Sequence, residues 1–195
     1  MNVLCVHGSP RSNGNSSLVA NQFLETARSL GAETRVYKIN KLNYQGCQGC
    51  QACKIKMSKC ILEDDLTEVL EAIREVDILV FATPVYIRDI PGQFKCFVDR
   101  TFSYYKPDFH TNSNPSRLPY GKVLVFIITQ AKPDEEKHKD FFLRYGGYFK
   151  RALNLAKIHL VRLCGVGMDG EKGVPEHFLH QADKIARTLL KPPSF

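Results

Sequence analysis

Short apolar runs alternate with longer amphipathic runs along this chain of 195 residues, and that alternation constrains the fold more than any other feature. Most of the apolar runs are rich in Val, Ile and Leu, as expected for strands that are covered on both faces of a sheet. The amphipathic runs repeat apolar residues at helical spacing. Five such units predict a doubly wound α/β fold, in which a five-stranded parallel sheet carries helices on both faces. The predicted strands cover 2–7, 32–39, 77–86, 122–129 and 158–166, and the predicted helices cover 16–30, 65–75, 91–103, 138–156 and 175–190.

The length of the chain suits one well-packed domain, so we expect a single domain over residues 1–195. Two segments interrupt the strand–helix pattern. A cysteine-rich loop covers 45–62, and a connector rich in Pro, Asn and Ser covers 104–121. We interpret this connector as a crossover loop, with a lid or a subunit contact as alternative roles. Asp65 and Glu68 are predicted to cap the helix that follows the cysteine-rich loop.

The composition favours a cytoplasmic protein. The first residues, "MNVLCVHGSP", do not resemble a signal peptide, and the longest purely apolar run, "VLVFII", is too short to span a membrane. Seven cysteines without a secretory signal indicate a reducing compartment, where thiols serve metals or chemistry. We expect no membrane contact.

The formal net charge of +7 favours anionic partners such as phosphate cofactors or acidic redox proteins. The chain has no basic stripe interleaved with aromatic residues and no nucleic-acid-binding motif, so we expect no nucleic-acid partner.

The segment "GSPRSNGNSS", residues 8–17, joins the first predicted strand to the first helix. Gly8 permits a sharp exit from the strand, and Gly14 lets the backbone approach a ligand closely. Hydroxyl and amide side chains, the free N–H groups of the helix and the charge of Arg11 together predict an anion site. The dinucleotide fingerprint and the Walker lysine are both absent, and the many donors suit a terminal phosphate monoester.

A cysteine-dependent phosphatase is a competing interpretation, because Cys5, Arg11 and Ser12 fit the pattern C-x5-R-S. Such an enzyme needs its thiolate at the head of the loop, aimed at phosphorus. Cys5 lies inside the predicted strand instead, and the chain has no Asp-Pro pair that would supply an acid for the leaving group. We interpret Cys5 as a buried core residue and His7 as a strand-end residue with a satisfied hydrogen bond.

The loop after the third strand is the second candidate ligand loop. Ligands of doubly wound sheets bind beyond the carboxyl ends of the strands, where the strand order reverses. If the order is 2-1-3-4-5, the loops after strands one and three flank that crevice. The sequence "TPVY", residues 83–86, then offers a stiff proline turn, free backbone groups and the flat ring of Tyr86, which suit a planar heterocycle.

Three segments together resemble the group of NADPH-dependent FMN reductases and iron–sulfur flavoproteins, and the resemblance extends over nearly the whole chain. They are "GSPRSNGNSS", "TPVYIRDIPGQFKCFVDR" and "GCQGCQACKIKMSKCILEDDL". The resemblance implies a flavodoxin-like fold with strand order 2-1-3-4-5 and FMN as cofactor. It implies phosphate contacts from Ser9, Arg11, Asn13, Asn15, Ser16 and Ser17, and ring contacts from Pro84, Val85, Tyr86 and Ile87. The resemblance also implies a ring contact from Thr129, at the end of the fourth predicted strand. The sequence departs from relatives in two places, since "TQAKPDEE" lacks their glycines and Ile87 replaces a frequent second aromatic.

The cysteine-rich loop spaces Cys47, Cys50, Cys53 and Cys60 as C-x2-C-x2-C-x6-C. This spacing resembles a ferredoxin run and predicts a [4Fe–4S] cluster. Structural zinc sites more often use two separated ligand pairs, and a reducing compartment disfavours disulfides. The resemblance also indicates a cluster. The alternative is a loop that binds no metal and uses its cysteines for packing or redox chemistry. Cys96 and Cys164 are predicted to pack in the core.

The resemblance implies an FMN-dependent oxidoreductase that takes electrons from NAD(P)H or a ferredoxin-like protein. The electrons then pass to a small-molecule acceptor. The flavin carries the chemistry, so no catalytic acid or base is assigned. A homodimer or homotetramer is expected. The alternative hypothesis is a non-catalytic flavodoxin-like module that senses redox state or metal through the cysteine loop. Bound FMN that neither NAD(P)H nor a reduced ferredoxin can reduce would indicate this alternative.

Overall fold

The computed structural model describes residues 1–166 and 173–191 and contains a five-stranded parallel sheet. The strand order β2-β1-β3-β4-β5 confirms the predicted order. Because this order reverses between β1 and β3, the loops that follow these two strands flank one crevice at the carboxyl edge. The strands are β1 (Asn2–His7), β2 (Glu33–Lys38), β3 (Ile78–Pro84), β4 (Lys122–Thr129) and β5 (Leu155–Leu163).

Helices cover both faces of the sheet, as the alternation predicts. The covering helices are α1 (Asn15–Ser29), α3 (Asp65–Glu75), α4 (Gly92–Arg100), α5 (Lys139–Ala152) and α6 (Glu176–Leu190), and a short helix, α2 (Ala52–Ile55), lies within the cysteine-rich loop. The apolar faces of α3, α4 and α5 form one buried cluster with alternate strand residues such as Leu79 and Phe81. The apolar faces of α1 and α6 form a second cluster with residues of opposite orientation such as Cys5 and Val80. No helix in the described part of the chain is long and apolar enough to cross a membrane.

The observed boundaries differ from the predicted ones mainly around α5 and β5. Helix α5 ends at Ala152, and β5 already begins at Leu155, three residues before the predicted start. Asn154 adopts a left-handed conformation with φ 54°, which ends the helix and turns the chain into the strand. The apolar run alone did not reveal this turn. The short helix α2 inside the cysteine-rich loop was not predicted either.

The N-terminal cap of α3 is formed by Asp64 and Thr67, so the predicted pair of Asp65 and Glu68 is wrong. The Asp64 side chain accepts from the Leu66 N–H at 3.1 Å, and the Thr67 hydroxyl accepts from the Asp64 N–H at 3.1 Å. The helix begins one residue after its cap, and the sequence pattern placed the cap one residue too late. Asp65 instead accepts from the Asn43 N–H at 2.7 Å.

Arg100, at the end of α4, fastens both ends of the cysteine-rich loop. Its guanidinium is buried and donates to the Asp64 carboxylate at 2.7 Å, to the Gln45 carbonyl at 2.9 Å and to the Leu62 carbonyl at 3.1 Å. Burial works to raise the pKa of Asp64, but the Arg100 contacts and backbone N–H donors hold that pKa below its ordinary value. The loop between Gln45 and Asp64 is therefore closed by one buried ion pair.

The connector 104–121 packs on the body of the protein. Tyr105 and Ser116 form an antiparallel bridge, and the Ser116 hydroxyl donates to the Ala152 carbonyl at 2.7 Å. Arg117 donates to the Cys53 carbonyl at 3.0 Å. The connector is thus attached to the cysteine-rich loop as well as to α5.

Replacement of Asp64 tests how much the fold depends on this residue. We expect Asp64→Ala to lower the free energy of unfolding by about 3–5 kcal/mol, because it removes a cap and leaves the buried Arg100 without its counter-ion. Asp64→Asn retains a capping side chain and is expected to cost less. The pKa of Asp64 is lowered in the fold. Its contribution to stability is therefore fully present above the ordinary pKa and is lost as the pH falls from there through the lowered pKa of the folded state.

Urea unfolding measures these differences. The control is Glu68→Ala, which removes an exposed carboxylate on the same helix that accepts from the Tyr37 hydroxyl at 2.8 Å. We expect this variant to lose less than about 1 kcal/mol. An equal loss in the free energy of unfolding for Asp64→Ala and Glu68→Ala would contradict the role of the Asp64–Arg100 ion pair in closing the loop.

Candidate functional site

A cavity of about 350 Å³ lies at the carboxyl edge of the sheet, between the loops that follow β1 and β3. Its volume lies in the range of roughly 300–1,000 Å³ that is usual for small-molecule sites. Nine of the eleven residues predicted as cofactor contacts line it. The lining residues are Ser9, Arg11, Gly14, Asn15, Ser16, Pro84, Val85, Tyr86, Ile87, Thr129, Ala131 and Val166.

The loop after β1 is held in place by backbone contacts. The Gly8 N–H donates to the Ala82 carbonyl of β3 at 2.8 Å, and the Gly14 N–H donates to the Arg11 carbonyl at 3.2 Å. A side chain at Gly14 would bring its Cβ within 2.8 Å of the Ser9 hydroxyl. Any side chain at position 14 would therefore displace the Ser9 hydroxyl, which glycine avoids.

The N-terminus of α1 presents unused donors to the cavity. Its N-cap residue is Gly14, and no side chain of the described residues caps the helix. The Ser16 hydroxyl is buried and has no hydrogen-bond partner within residues 1–166 and 173–191. A buried hydroxyl without a partner costs free energy, and a helix N-terminus attracts negative charge. This arrangement fits a phosphate group.

Asn13 and Ser17 do not line the cavity, although the resemblance implied contacts from both. Asn13 is exposed, and Ser17 is buried in the first turn of α1. Ala131 and Val166 line the cavity and were not predicted. They follow β4 and β5, and a single apolar residue carries no chemical signal in a sequence. Their position after the carboxyl ends of strands is the only signal that marks them.

Cys5 and His7 lie beneath the loop, inside the fold. Cys5 is fully buried, and burial raises the pKa of its thiol. A protonated thiol in the core is unsuited to phosphatase chemistry. Burial, helped by Lys38, lowers the pKa of His7 to about 4. The prediction of a satisfied His7 is wrong for one atom, since its Nδ1 has no partner among the residues described and Nε2 lies 3.6 Å from the Cys5 thiol.

The loop after β3 makes a tight turn at the cavity. The Val85 N–H donates to the Thr129 carbonyl at 2.8 Å, which joins the loop to β4. Tyr86 and Asp89 then exchange two backbone hydrogen bonds, of 2.7 and 2.9 Å. The two residues between them, Ile87 and Arg88, have φ of 45° and 66°. A β-branched residue with positive φ is a true outlier, so this turn is strained.

Gln130 supports the loop after β4. Its side chain is buried and donates to the carbonyls of Lys132 and Asp134 at 2.9 and 3.0 Å. It also accepts from Arg162 of β5 at 2.9 Å. These contacts hold the segment that carries Ala131 at the edge of the cavity.

The four cysteines of the loop line a second, much smaller cavity of about 20 Å³, together with Arg100. Cys47 and Cys50 are exposed, whereas Cys53 and Cys60 are half-buried. All four thiols are free. All four predicted ligands therefore border one small cavity, whose volume holds about one water molecule.

Two cations lie at this thiol cavity. The Lys54 ammonium group is 3.3 Å from the Cys53 sulfur, donates to the Phe102 carbonyl at 2.8 Å and lies 4.0 Å from the centre of the Phe102 ring. Burial lowers the pKa of Lys54, and the contact with Cys53 opposes that shift. The Arg100 Nε atom is buried with no partner in the described ranges. Arg100 was not recognised in the sequence because its partners are distant along the chain.

The donor set fits a thiolate-ligated metal group, while the volume does not yet admit a cubane. Four sulfur donors next to two cations suit the charge of such a group. In the described residues, no three His, Cys, Asp or Glu side chains are gathered as ligands of one metal ion. A [4Fe–4S] cube would require the four thiols to rearrange around it.

Cys96 and Cys164 are half-buried and belong to neither core cluster, so the prediction of core packing is wrong for both. Cys96 packs against the cysteine-rich loop, where a Cβ at Gly46 would lie 3.2 Å from its sulfur. Cys164 directly follows β5.

A third cavity, of about 480 Å³, lies between the cysteine-rich loop, α4 and α5. Cys47 reaches it from the loop, and Phe102, Tyr145 and Tyr148 form an aromatic wall. Tyr145 also donates to Asp89 in the strained turn at 2.6 Å. One side chain of α5 thus contacts the turn beside the first cavity and lines the cavity beside Cys47.

Comparison with known proteins identifies related chains. The family model of the NADPH-dependent FMN reductases matches residues 1–136. An iron–sulfur flavoprotein of Archaeoglobus fulgidus is 30% identical over 154 residues, which cover 78% of this chain and 62% of that protein. The chain therefore spans less than two thirds of that relative's length.

Solved structures share the fold. An NAD(P)H:quinone oxidoreductase from Methanothermobacter marburgensis superimposes with a TM-score of 0.74 at 18% identity, over 100% of this chain and 99% of the other. An FMN-dependent NADH-azoreductase from Bacillus anthracis, solved in complex with FMN, gives a TM-score of 0.71 at 14% identity, over 98% and 100%. The sheet order and these neighbours identify the fold as flavodoxin-like.

Proposed function

The chain belongs to the NADPH-dependent FMN reductase family, and we propose that it is an FMN-dependent oxidoreductase that accepts electrons from NAD(P)H or a ferredoxin-like protein. One observation carries this proposal. The buried Ser16 hydroxyl and the uncapped N-terminus of α1 face the same cavity as the strained turn after β3.

The FMN phosphate would bind at the loop after β1. Ser9, Arg11 and the first residues of α1, Asn15 and Ser16, line the cavity and offer hydroxyl, guanidinium and backbone N–H donors. These donors suit a phosphate dianion because each one stabilises part of the negative charge on the phosphate oxygens. The binding of phosphate would also supply the missing partner of the Ser16 hydroxyl.

The flavin ring would bind between the loop after β3 and the segment after β4. Pro84, Val85 and Tyr86 offer an apolar wall, and Thr129 and Ala131 also line the cavity. When bound, FMN supplies the hydride and electron chemistry, and the protein orients the ring and excludes water. Residues without acid–base groups therefore suffice at this end of the cavity.

Cys47, Cys50, Cys53 and Cys60 would hold an iron–sulfur cluster of the [4Fe–4S] type. The shared thiol cavity, the Lys54 contact to sulfur and the buried Arg100 support this proposal, as does the name of the Archaeoglobus fulgidus relative. A cluster supplies one-electron chemistry when bound, which suits a ferredoxin-like donor. If the loop binds no metal, the thiols are redox-reactive groups and NAD(P)H is the donor.

A redox- or metal-sensing module is the second candidate function. The exposure of Cys47 and Cys50 favours it, because exposed thiols are accessible to oxidants and metals. Bound FMN that neither NAD(P)H nor reduced ferredoxin reduces would support this second candidate. Turnover with a quinone or another small-molecule acceptor would support the enzyme.

Ser16→Ala tests the phosphate site. We expect the dissociation constant for FMN to rise about tenfold, because a buried hydroxyl that bonds a charged phosphate is lost. Riboflavin lacks the phosphate, so its affinity should hardly change. The matched control is Ser17→Ala, which removes the neighbouring buried hydroxyl that does not line the cavity.

Flavin fluorescence titration of the apoprotein measures both ligands for the three proteins. Equal effects of Ser16→Ala and Ser17→Ala on FMN binding would contradict the placement of the phosphate. Equal effects of Ser16→Ala on FMN and riboflavin would contradict it as well.

Iron and acid-labile sulfide of anaerobically purified protein test the cluster. We expect about four iron atoms per chain after reconstitution, as a cubane requires. Cys53→Ser should lose most of this iron, whereas Cys164→Ser, outside the cysteine-rich loop, should retain it. Wild-type protein that binds flavin but no iron would overturn the cluster and leave the flavin site intact.

A further inference from the structure

We infer that Asp89 is a positioning residue, which holds the strained turn Tyr86–Asp89 at the flavin cavity through contacts with Tyr145 and Arg144 of α5. The inference rests on the proposed function in one respect, since FMN is taken as the ligand of that cavity. The contacts themselves are independent of the ligand.

The two residues at the tip of the turn are not suited to its backbone conformation. Two central residues with positive φ match the geometry of a type I′ turn, which favours Asn and Gly at these positions. Here they are Ile87 and Arg88, with φ of 45° and 66°. The Ile87 side chain is 98% exposed, so its own packing does not stabilise the conformation. Strained backbone persists only where the surrounding structure enforces it.

The Asp89 carboxylate supplies that enforcement. One oxygen accepts from the Tyr145 hydroxyl at 2.6 Å and from the Ile90 N–H at 2.7 Å. The other lies 3.5 Å from the Arg144 guanidinium. Burial works to raise the pKa of Asp89, but these donors hold it below the ordinary value, so the carboxylate is charged. Charged hydrogen bonds are the stronger ones.

Helix α5 is a firm anchor for this contact. Tyr145 is 6% exposed and belongs to the core cluster beneath α5. Just before the turn, the Val85 N–H donates to the Thr129 carbonyl. Just after it, Ile90 is buried. The turn is therefore attached to β4, to the core and to α5, while Ile87 and Arg88 at its tip are exposed.

This arrangement fixes where Tyr86 and Ile87 stand. Both line the cavity, and both owe their position to the turn. Loss of the Asp89 contact would let the chain relax toward negative φ at Ile87 and move these two residues. The turn would then fit a flat ring less well, although the core would be unchanged.

Tyr145→Phe tests the inference with the smallest change, because it removes only the hydroxyl. We expect the dissociation constant for FMN to rise about tenfold, as for the loss of a hydrogen bond to a charged group. The amide hydrogens of Tyr86 and Asp89, which bond within the turn, should exchange faster. The matched control is Tyr148→Phe, on the same helix, whose hydroxyl contacts Thr101 at 2.8 Å and not the turn.

A second substitution separates positioning from a general loss of stability. Ile87→Gly places the residue that positive φ favours at the strained position. In the Ile87→Gly background, Tyr145→Phe should weaken FMN binding less than about threefold. The reason is that a turn with glycine at this position keeps its shape without the hydrogen bond from Tyr145 to Asp89. A merely structural role of Tyr145 would give the same cost in both backgrounds.

Each outcome decides one question. The inference is overturned if Tyr145→Phe and Tyr148→Phe have the same FMN affinity and the same amide exchange. It is also overturned if Tyr145→Phe weakens FMN binding equally in the wild-type and Ile87→Gly proteins. Wild-type protein that binds no FMN overturns the proposed function instead. Amide exchange of the turn in the apoprotein then still decides whether Tyr145 holds it.

Discussion

The parallel pairing of β1 with β3 positions the two loops that line the first cavity at the carboxyl edge of the sheet. Val3–His7 run beside Ile78–Ala82, and the hydrogen bond from Gly8 to Ala82 extends this pairing into the loop. Because the strand order reverses here, the two following loops have no covering helix between them. The first loop brings polar donors and a helix N-terminus, and the second brings an apolar turn. A ligand with a phosphate at one end and a flat ring at the other matches that polarity.

The cysteine-rich loop depends on a different interaction. Arg100 and Asp64 close the cysteine-rich loop with a buried ion pair, and Asp64 also caps α3. The four thiols thereby lie at the end of α4, near Phe102, and Arg117 ties the same loop to the connector 104–121. A buried pair of this kind is costly to break once formed, so the loop has little freedom at its ends.

The sequence predicted the elements well because each one has its own periodicity. The five strands and the strand order follow from apolar runs and from the resemblance, and nine predicted contacts line the first cavity. Three kinds of feature were beyond it. Ala131 and Val166 line the first cavity because they follow β4 and β5, and their side chains carry no chemical group that a sequence pattern would single out. Arg100 acts on partners distant in sequence, and the strain at Ile87 is visible only in the backbone dihedrals.

The most direct test of the central claim is the flavin content of protein purified natively, with the cofactor released and identified by chromatography. The account predicts FMN at about one per chain, or apoprotein that takes up FMN in that ratio and binds riboflavin more weakly. Protein that carries no flavin and binds FMN no better than riboflavin would contradict the account, because the buried Ser16 hydroxyl and the helix terminus would then serve no phosphate.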